Sequence, residues 1–285
     1  MLPASTMKLL TTAIAFERLG PTYQFSTDAL RDGAITPDGT LNGNIYIRGD
    51  GDPSFGGRFH GGKPAAAVTR LAELVASQGI RRINGNVIGD PSAFDDERIP
   101  QGWLSRYLQA GYAARVSALS LNENLVWVSI NGSGVSLEPS TSALPLVNLV
   151  RYVNGSRANI RVGRKSDGTI IVSGTMGRNA GPRRYVYVVE DPAAFTTGAF
   201  RNALMAQGIT IGGTTRIGRT PGNATKIASF VSPTLDRMAA AMNRESINHY
   251  AELLFRNAAR GRKKDVQGTA GTAQSALRTF FADKI

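Results

Sequence analysis

Pro3-Ala4-Ser5-Thr6-Met7-Lys8, running into an apolar stretch over 7–19 and answered far downstream by Ser246-Ile247-Asn248, decides how this 285-residue chain folds. A serine three residues before a lysine on a helix sets hydroxyl and amine one turn apart on the same face, close enough for proton transfer. Met7, Leu9, Leu10, Ala13, Ile14, Ala15, Phe16 and Leu19 surround most of the predicted helix, the pattern of a helix buried on several sides. Lys8 is then partly desolvated, which lowers a lysine pKa and supplies a neutral amine as general base. The bland alternative makes Ser5 a helix N-cap and lets Lys8 snorkel to water.

The distant stretch favours the chemical reading. Ser232-Pro233 opens a predicted helix with Leu235, Met238, Ala239 and Met242 on one face, and a second helix carries Tyr250, Leu253, Leu254 and Ala258. Ser246 and Asn248 thus fall in a helix-to-helix connection, from which both side chains can reach a cleft. Ser120-Leu121-Asn122 has the same spacing but precedes a strand-like run over 125–130 without flanking helices, so it is assigned to structure.

Ser-x-x-Lys with a later Ser-x-Asn and Lys-Thr-Gly is the signature of penicillin-binding proteins and class A β-lactamases. On Ser5 to Lys8 and Ser246 to Asn248, the chain resembles the D-alanyl-D-alanine carboxypeptidase/endopeptidases of the class C low-molecular-mass penicillin-binding protein family. The separation of more than two hundred residues between the motifs sets that family apart from class A β-lactamases. Further stretches that look like the family are Arg48 to Phe55, Pro100-Gln101-Gly102-Trp103, Ser117 to Asn122 and Val189-Glu190-Asp191-Pro192. The resemblance implies an α/β (α+β) fold: a partial penicillin-binding transpeptidase-like domain from residues 1–22 and 226–285. Residues 23–225 would form a large insert with a nested β-rich subdomain at about 95–185. It implies a serine-type D-Ala-D-Ala carboxypeptidase, with endopeptidase activity as an addition, that acts on peptidoglycan stem peptides through an acyl-enzyme and is inhibited by β-lactams. Ser5 is the expected nucleophile, Lys8 its base, Ser246 a proton relay and Asn248 an orienting group. The alternative is a non-catalytic, peptidoglycan- or partner-binding envelope protein of the same fold.

The family's third motif has no counterpart, since Lys165-Ser166-Asp167-Gly168 carries an extra residue and reads as a hairpin turn. The resemblance therefore implies a chain shortened at both ends. A periplasmic or extracellular setting is expected, with a signal peptide in the missing lead, because Met1-Leu2-Pro3 has neither a basic region nor a cleavage site. Cysteine is absent, which excludes disulfides, thiol nucleophiles and cysteine metal sites. His60 and His249 are the only histidines, so neither a metal nor a cofactor is expected. The net charge of +12 is scattered without a recognition helix or stacking module, favouring attraction to an anionic envelope over nucleic acid.

Local signals predict a helix over 4–19 ended by Gly20, strands over 23–30, 41–48, 80–88 and 209–217, helices over 65–77 and 192–207, and mostly strand over 125–187. Gln-Gly-Ile recurs at 78–80 and 207–209, a weak internal repeat of helix followed by strand. Asp50 and Asp52 are read as turn and helix-start formers, Arg260 to Lys264 as the cap of their own helix, His249 as a surface residue at a helix start or a neighbour of the cleft, and Trp103 and Trp127 as packing anchors.

Overall fold

The computed structural model describes residues 4–284; Met1, Leu2 and Pro3, at the start of the opening motif, lie outside them. A short 3-10 turn, Ala4–Thr6, leads into α1 (Met7–Leu19). Gly20, at φ +88°, ends α1 by donating its N–H to the Phe16 carbonyl, a conformation that a side chain would strain. Ile14, Ala15 and Leu19 are buried, but Met7 and Leu9 remain exposed, so α1 hides one face rather than most of its circumference.

The strands predicted over 41–48, 80–88 and 209–217 are broken, at the level of the Asp32-Gly33 turn. β1 (Ser26–Arg31) and β2 (Ala34–Ile35) part at Asp32-Gly33, and β3 (Thr40–Asn42) and β4 (Ile45–Arg48) at Gly43-Asn44. After α2 (Ala66–Ala76), β5 (Arg82–Ile83) and β6 (Val87–Asp90) part at Asn84-Gly85-Asn86. The reason is a ladder of side-chain acceptors that replaces strand pairing at the break. Asp32 Oδ1 accepts from Asn44 N at 2.6 Å, Asn44 Oδ1 from Asn86 N at 2.8 Å, and Asn86 Oδ1 from Thr214 N at 3.0 Å. Glycines let the backbones touch there: a Cβ on Gly85 would lie 2.4 Å from the Gly43 carbonyl oxygen.

Between these elements the chain builds a β-rich unit. β7 (Leu125–Asn131), β8 (Gly134–Glu138) and β12 (Arg183–Val188) form one three-stranded sheet; β9 (Leu146–Val153), β10 (Ala158–Arg164) and β11 (Ile170–Gly177) form another. Along β7, Val126, Val128 and Ile130 are buried while the residues between them are partly exposed, the two-residue period of a half-buried strand. Lys165 to Gly168 makes the predicted turn between the antiparallel β10 and β11.

α3 (Pro192–Ala206) is capped by Asp191, whose carboxylate accepts the Ala194 N–H, and β13 (Thr210–Ile211) and β14 (Thr215–Ile217) follow, broken at Gly213. β13 and β14 pair parallel with β5 and β6, so the two Gln-Gly-Ile units lie side by side. β15 (Thr225–Val231) closes the five-stranded sheet β14-β6-β4-β1-β15 against β1, while the other strand halves give β13-β5-β3-β2. The chain ends in α4 (Leu235–Glu245), α5 (Asn248–Arg260) and α6 (Ala270–Lys284). These pack on α1 around Ile14, Leu19, Met238, Met242, Tyr250 and Leu254.

Polar contacts join helices to sheets, and here two expectations change. Asp50 is an ion-pair partner rather than a turn former: it accepts from Arg260 at 2.9 Å and from Lys264 at 2.7 Å. Arg262 caps α1 rather than α5, donating to the Leu19 carbonyl at 2.7 Å. Among the described residues no helix is long and apolar enough to cross a membrane.

The strand-break geometry predicts that Gly85→Ala, forced into backbone, lowers unfolding free energy by about 3 kcal/mol or more. Gly163→Ala, whose added methyl meets nothing within 4 Å, should stay within about 0.5 kcal/mol. Urea midpoints decide, and equal midpoints would remove the close-approach argument.

Candidate active site

The four side chains singled out in the sequence meet. Ser5 stands on the 3-10 turn and Lys8 one turn later in α1, whereas Ser246 and Asn248 flank the short link between α4 and α5. Ser246 holds a left-handed backbone, φ 56° and ψ 42°, the kind of conformation that costs about 1–2 kcal/mol in a residue with a side chain. That turn reverses the chain sharply enough to aim both Ser246 and Asn248 at Lys8.

Lys8 Nζ donates to Asn248 Oδ1 at 2.7 Å and lies 3.4 Å from both Ser5 Oγ and Ser246 Oγ. The two hydroxyls are 2.7 Å apart. Asn248 can be oriented in only one way, because its Nδ2 donates to the Tyr112 carbonyl at 3.0 Å and its oxygen must face the amine. Lys8 is only 7% exposed. Burial depresses its pKa from the ordinary lysine value, against an opposing pull from the Glu252 carboxylate. An amine whose charged form is disfavoured by burial, within reach of two hydroxyls, is placed to take a proton from one and return it through the other.

Three neighbours escaped the sequence reading. Glu252, one helical turn past Asn248, lines a cavity of about 230 Å³ with Lys8 and Trp103. Its pKa is raised by burial and held back by Arg256, which it meets at 2.7 Å. Arg256 is fully buried and lies 3.7 Å from Glu97 and 4.0 Å from Asp95, tying α5 to the 95–97 segment. Asn248-x-x-x-Glu252-x-x-x-Arg256 was the available signal, a polar stripe at helical spacing. Trp103, expected to be a packing anchor, instead borders the cavity, and Tyr112 contributes only a backbone oxygen to the site.

The second Ser-x-Asn lies elsewhere in structure: Ser120 Oγ is buried and donates to the Ser117 carbonyl, and Asn122 Nδ2 donates to the Leu125 carbonyl. His249 is not a surface residue. It is buried, with Nε2 accepting from Asn124 Nδ2 at 3.0 Å, the direction fixed because that amide also donates to the Arg115 carbonyl. Burial pushes its pKa down to about 3. Among the described residues no group of three or more His, Cys, Asp or Glu is placed to hold a metal.

The family model described as the D-Ala-D-Ala carboxypeptidase 3 (S13) family matches residues 1–282. The D-alanyl-D-alanine carboxypeptidase of Actinomadura sp. (strain R39) is 28% identical over 274 residues, covering 90% of this chain and 49% of that protein. The D-alanyl-D-alanine carboxypeptidase DacB of Haemophilus influenzae is 26% identical over 265 residues, covering 90% and 53%. The crystal structure of penicillin binding protein 4 (dacB) from Haemophilus influenzae superposes with a TM-score of 0.78 at 22% identity, over 100% of this chain and 62% of that one. The chain therefore spans about half the length of the curated relatives it matches. The mixed α/β fold expected from the sequence is the fold of that penicillin-binding protein.

The buried His249 makes stability depend on pH with a defined sign. Its folded pKa lies near 3 and its ordinary value at 6.5, so the unfolded chain binds the proton first as pH falls. Stability is complete above about pH 6.5 and is lost below it, by about 2 kcal/mol at pH 5, from 1.5 pH units at about 1.4 kcal/mol each. Asp52 works oppositely, its carboxyl raised to about 6 by burial, but its contribution is the same in the parent chain and in a variant changed only at His249. His249→Gln should remove about 2 kcal/mol of the pH 7 to pH 5 loss measured by urea unfolding. An unchanged loss would mean that His249 does not titrate in this way.

Proposed function

The chain belongs to the D-Ala-D-Ala carboxypeptidase 3 (S13) family, and on that premise we propose that it carries the nucleophilic half of a serine-type D-Ala-D-Ala carboxypeptidase acting on peptidoglycan stem peptides. The supporting observation is the convergence of the Lys8 amine on Ser5, Ser246 and Asn248 from two helices. In this reading residues 1–22 and 226–285 belong to the catalytic domain, and 23–225 form an insert containing the β-rich unit.

Neutral Lys8 takes the Ser5 proton as Oγ attacks the carbonyl of the penultimate D-alanine. The tetrahedral adduct collapses, the C–N bond breaks, and Ser246 passes a proton to the departing amine. Terminal D-alanine leaves and the remainder of the peptide is held as an ester on Ser5. Asn248 keeps Lys8 in place and orients the substrate amide. Water then adds to the ester carbonyl and frees Ser5. An endopeptidase activity needs no new chemistry, since the leaving amine is then the side chain of a neighbouring stem peptide. A β-lactam acylates Ser5 the same way, but its amine stays tethered and the ester hydrolyses slowly. The corresponding setting is the cell envelope, periplasmic or extracellular.

Intact mass after incubation with benzylpenicillin tests this on the chain alone and on the full-length gene product. One adduct is expected, mapped to Ser5 and absent from Ser5→Ala. Lys8→Ala should slow acylation by about 10³, the range of a lost general base. An adduct persisting in Ser5→Ala would overturn the assignment. No adduct in either form would favour the non-catalytic peptidoglycan-binding alternative.

A further inference from the structure

α5 runs from the serine centre to a second cavity. Asn248 opens it beside Lys8, and Arg260 closes it about 18 Å away along the helix axis, from 12 steps of about 1.5 Å. Arg260 borders a second cavity of about 990 Å³, framed by the ends of β1 and β4, the loop after β14 and the segment after α5. That volume lies at the top of the ligand-pocket range of about 300–1,000 Å³ and has room for a peptide of several residues.

The lining carries more positive charge than its internal pairs consume. Asp28 is buried and shared by two cations, Lys226 at 3.1 Å and Arg48 at 3.2 Å. Asp50 is likewise shared by Arg260 and Lys264. Each trio keeps a net positive charge, and the heads of Arg48, Lys226 and Lys264 are about half exposed. Arg219, on the loop after β14, is exposed and has no ion-pair or hydrogen-bond partner among the described residues. Thr220, beside it, donates its N–H to the Asp90 carboxylate at 2.7 Å. The opposite sign is present too: Asp265 is exposed, with no ion-pair partner among the described residues, and the Asp90 carboxylate is met by neutral groups of Ser92 and Thr220 rather than by a cation.

We propose that this cleft binds a second peptide segment, one bearing a free carboxylate and an ammonium group, apart from the serine centre. The carboxylate goes to Arg219 and Lys226 and the ammonium to Asp265. The two carboxylates not matched by cations disfavour a polyphosphate or other dense polyanion. The polar lining disfavours an apolar ligand. The choice of a stem peptide as probe rests on the proposed function, whereas the charge pattern does not. In a cross-linked polymer, a site at the far end of α5 would hold one strand while another is presented to Ser5, raising local concentration.

The test uses N-terminally fluorescein-labelled L-Ala-γ-D-Glu-L-Lys-D-Ala and fluorescence anisotropy on the Ser5→Ala/Lys8→Ala chain, which lacks both nucleophile and base. Saturable binding is expected. A probe with both carboxylates amidated should bind about tenfold more weakly, and Arg219→Gln and Lys226→Gln should each raise Kd about tenfold. Both residues are surface groups, and Arg48 still neutralises Asp28 when Lys226 is lost, so circular dichroism should be unchanged. No saturable binding, or binding indifferent to both substitutions, overturns the proposal. A benzylpenicillin adduct on the parent chain without such binding sinks this inference alone; charge-dependent binding with no adduct on Ser5 in either form tested above sinks only the catalytic reading.

Discussion

The 2.7 Å contact between the Lys8 amine and the Asn248 oxygen joins residues 240 positions apart, and much of the fold serves to hold its two ends. Lys8 is fixed because α1 buries Ile14, Ala15 and Leu19 against α4 and α5. Asn248 is fixed because its helix is anchored along its whole length. Arg256 ties it to the 95–97 segment, Asn257 donates to the Gly51 carbonyl, and Arg260 reaches Asp50. A lysine near such a helix but without the anchoring would solvate its charge by swinging outward, and its pKa would return toward the ordinary value.

Burying so many cations is costly unless each is answered. Arg115 donates to the Leu108 carbonyl and pairs with Glu190, Arg260 has Asp50, and Arg256 has Glu252 with two further acidic groups nearby. Removing one partner from such a set is far worse than never having had the pair, because the remaining charge stays desolvated. Arg256 is the extreme case, since its Nε and Nη2 have no hydrogen bond among the described residues despite complete burial. The net attraction there is from field rather than contact, so the acidic ring around it acts collectively.

Much of this was legible in the sequence because the signals were local. Helix ends at Gly20 and around Pro192, the two-residue period of β7 and the Lys165 to Gly168 turn depend on residues close in sequence. Ser5, Lys8, Ser246 and Asn248 were found by resemblance, and the structure places them together; their spacing alone left the N-cap alternative open. What failed depended on distant partners. The breaks in the strands over 41–48, 80–88 and 209–217 arise from neighbouring chains pressing glycine on glycine, and only the repeated Asn-Gly-Asn at 42–44 and 84–86 hinted at them. His249 was misplaced because nothing local shows that Asn124 will cover it. Arg262 was given to its own helix because its true acceptor, the Leu19 carbonyl, lies 243 residues away.

The line of broken strands also determines how the molecule can come apart. Four chains pass from one sheet to the other through a seam where each acceptor side chain serves the next strand along, Asp32 to Asn44 to Asn86 to Thr214. Neither sheet can slip by a residue without dislocating that seam, since a one-position shift would put side chains where only glycine fits. The two sheets therefore behave as one bent surface with a fixed crease. Loss of any single rung would be transmitted to both sides at once, so the region melts as a unit rather than peeling strand by strand.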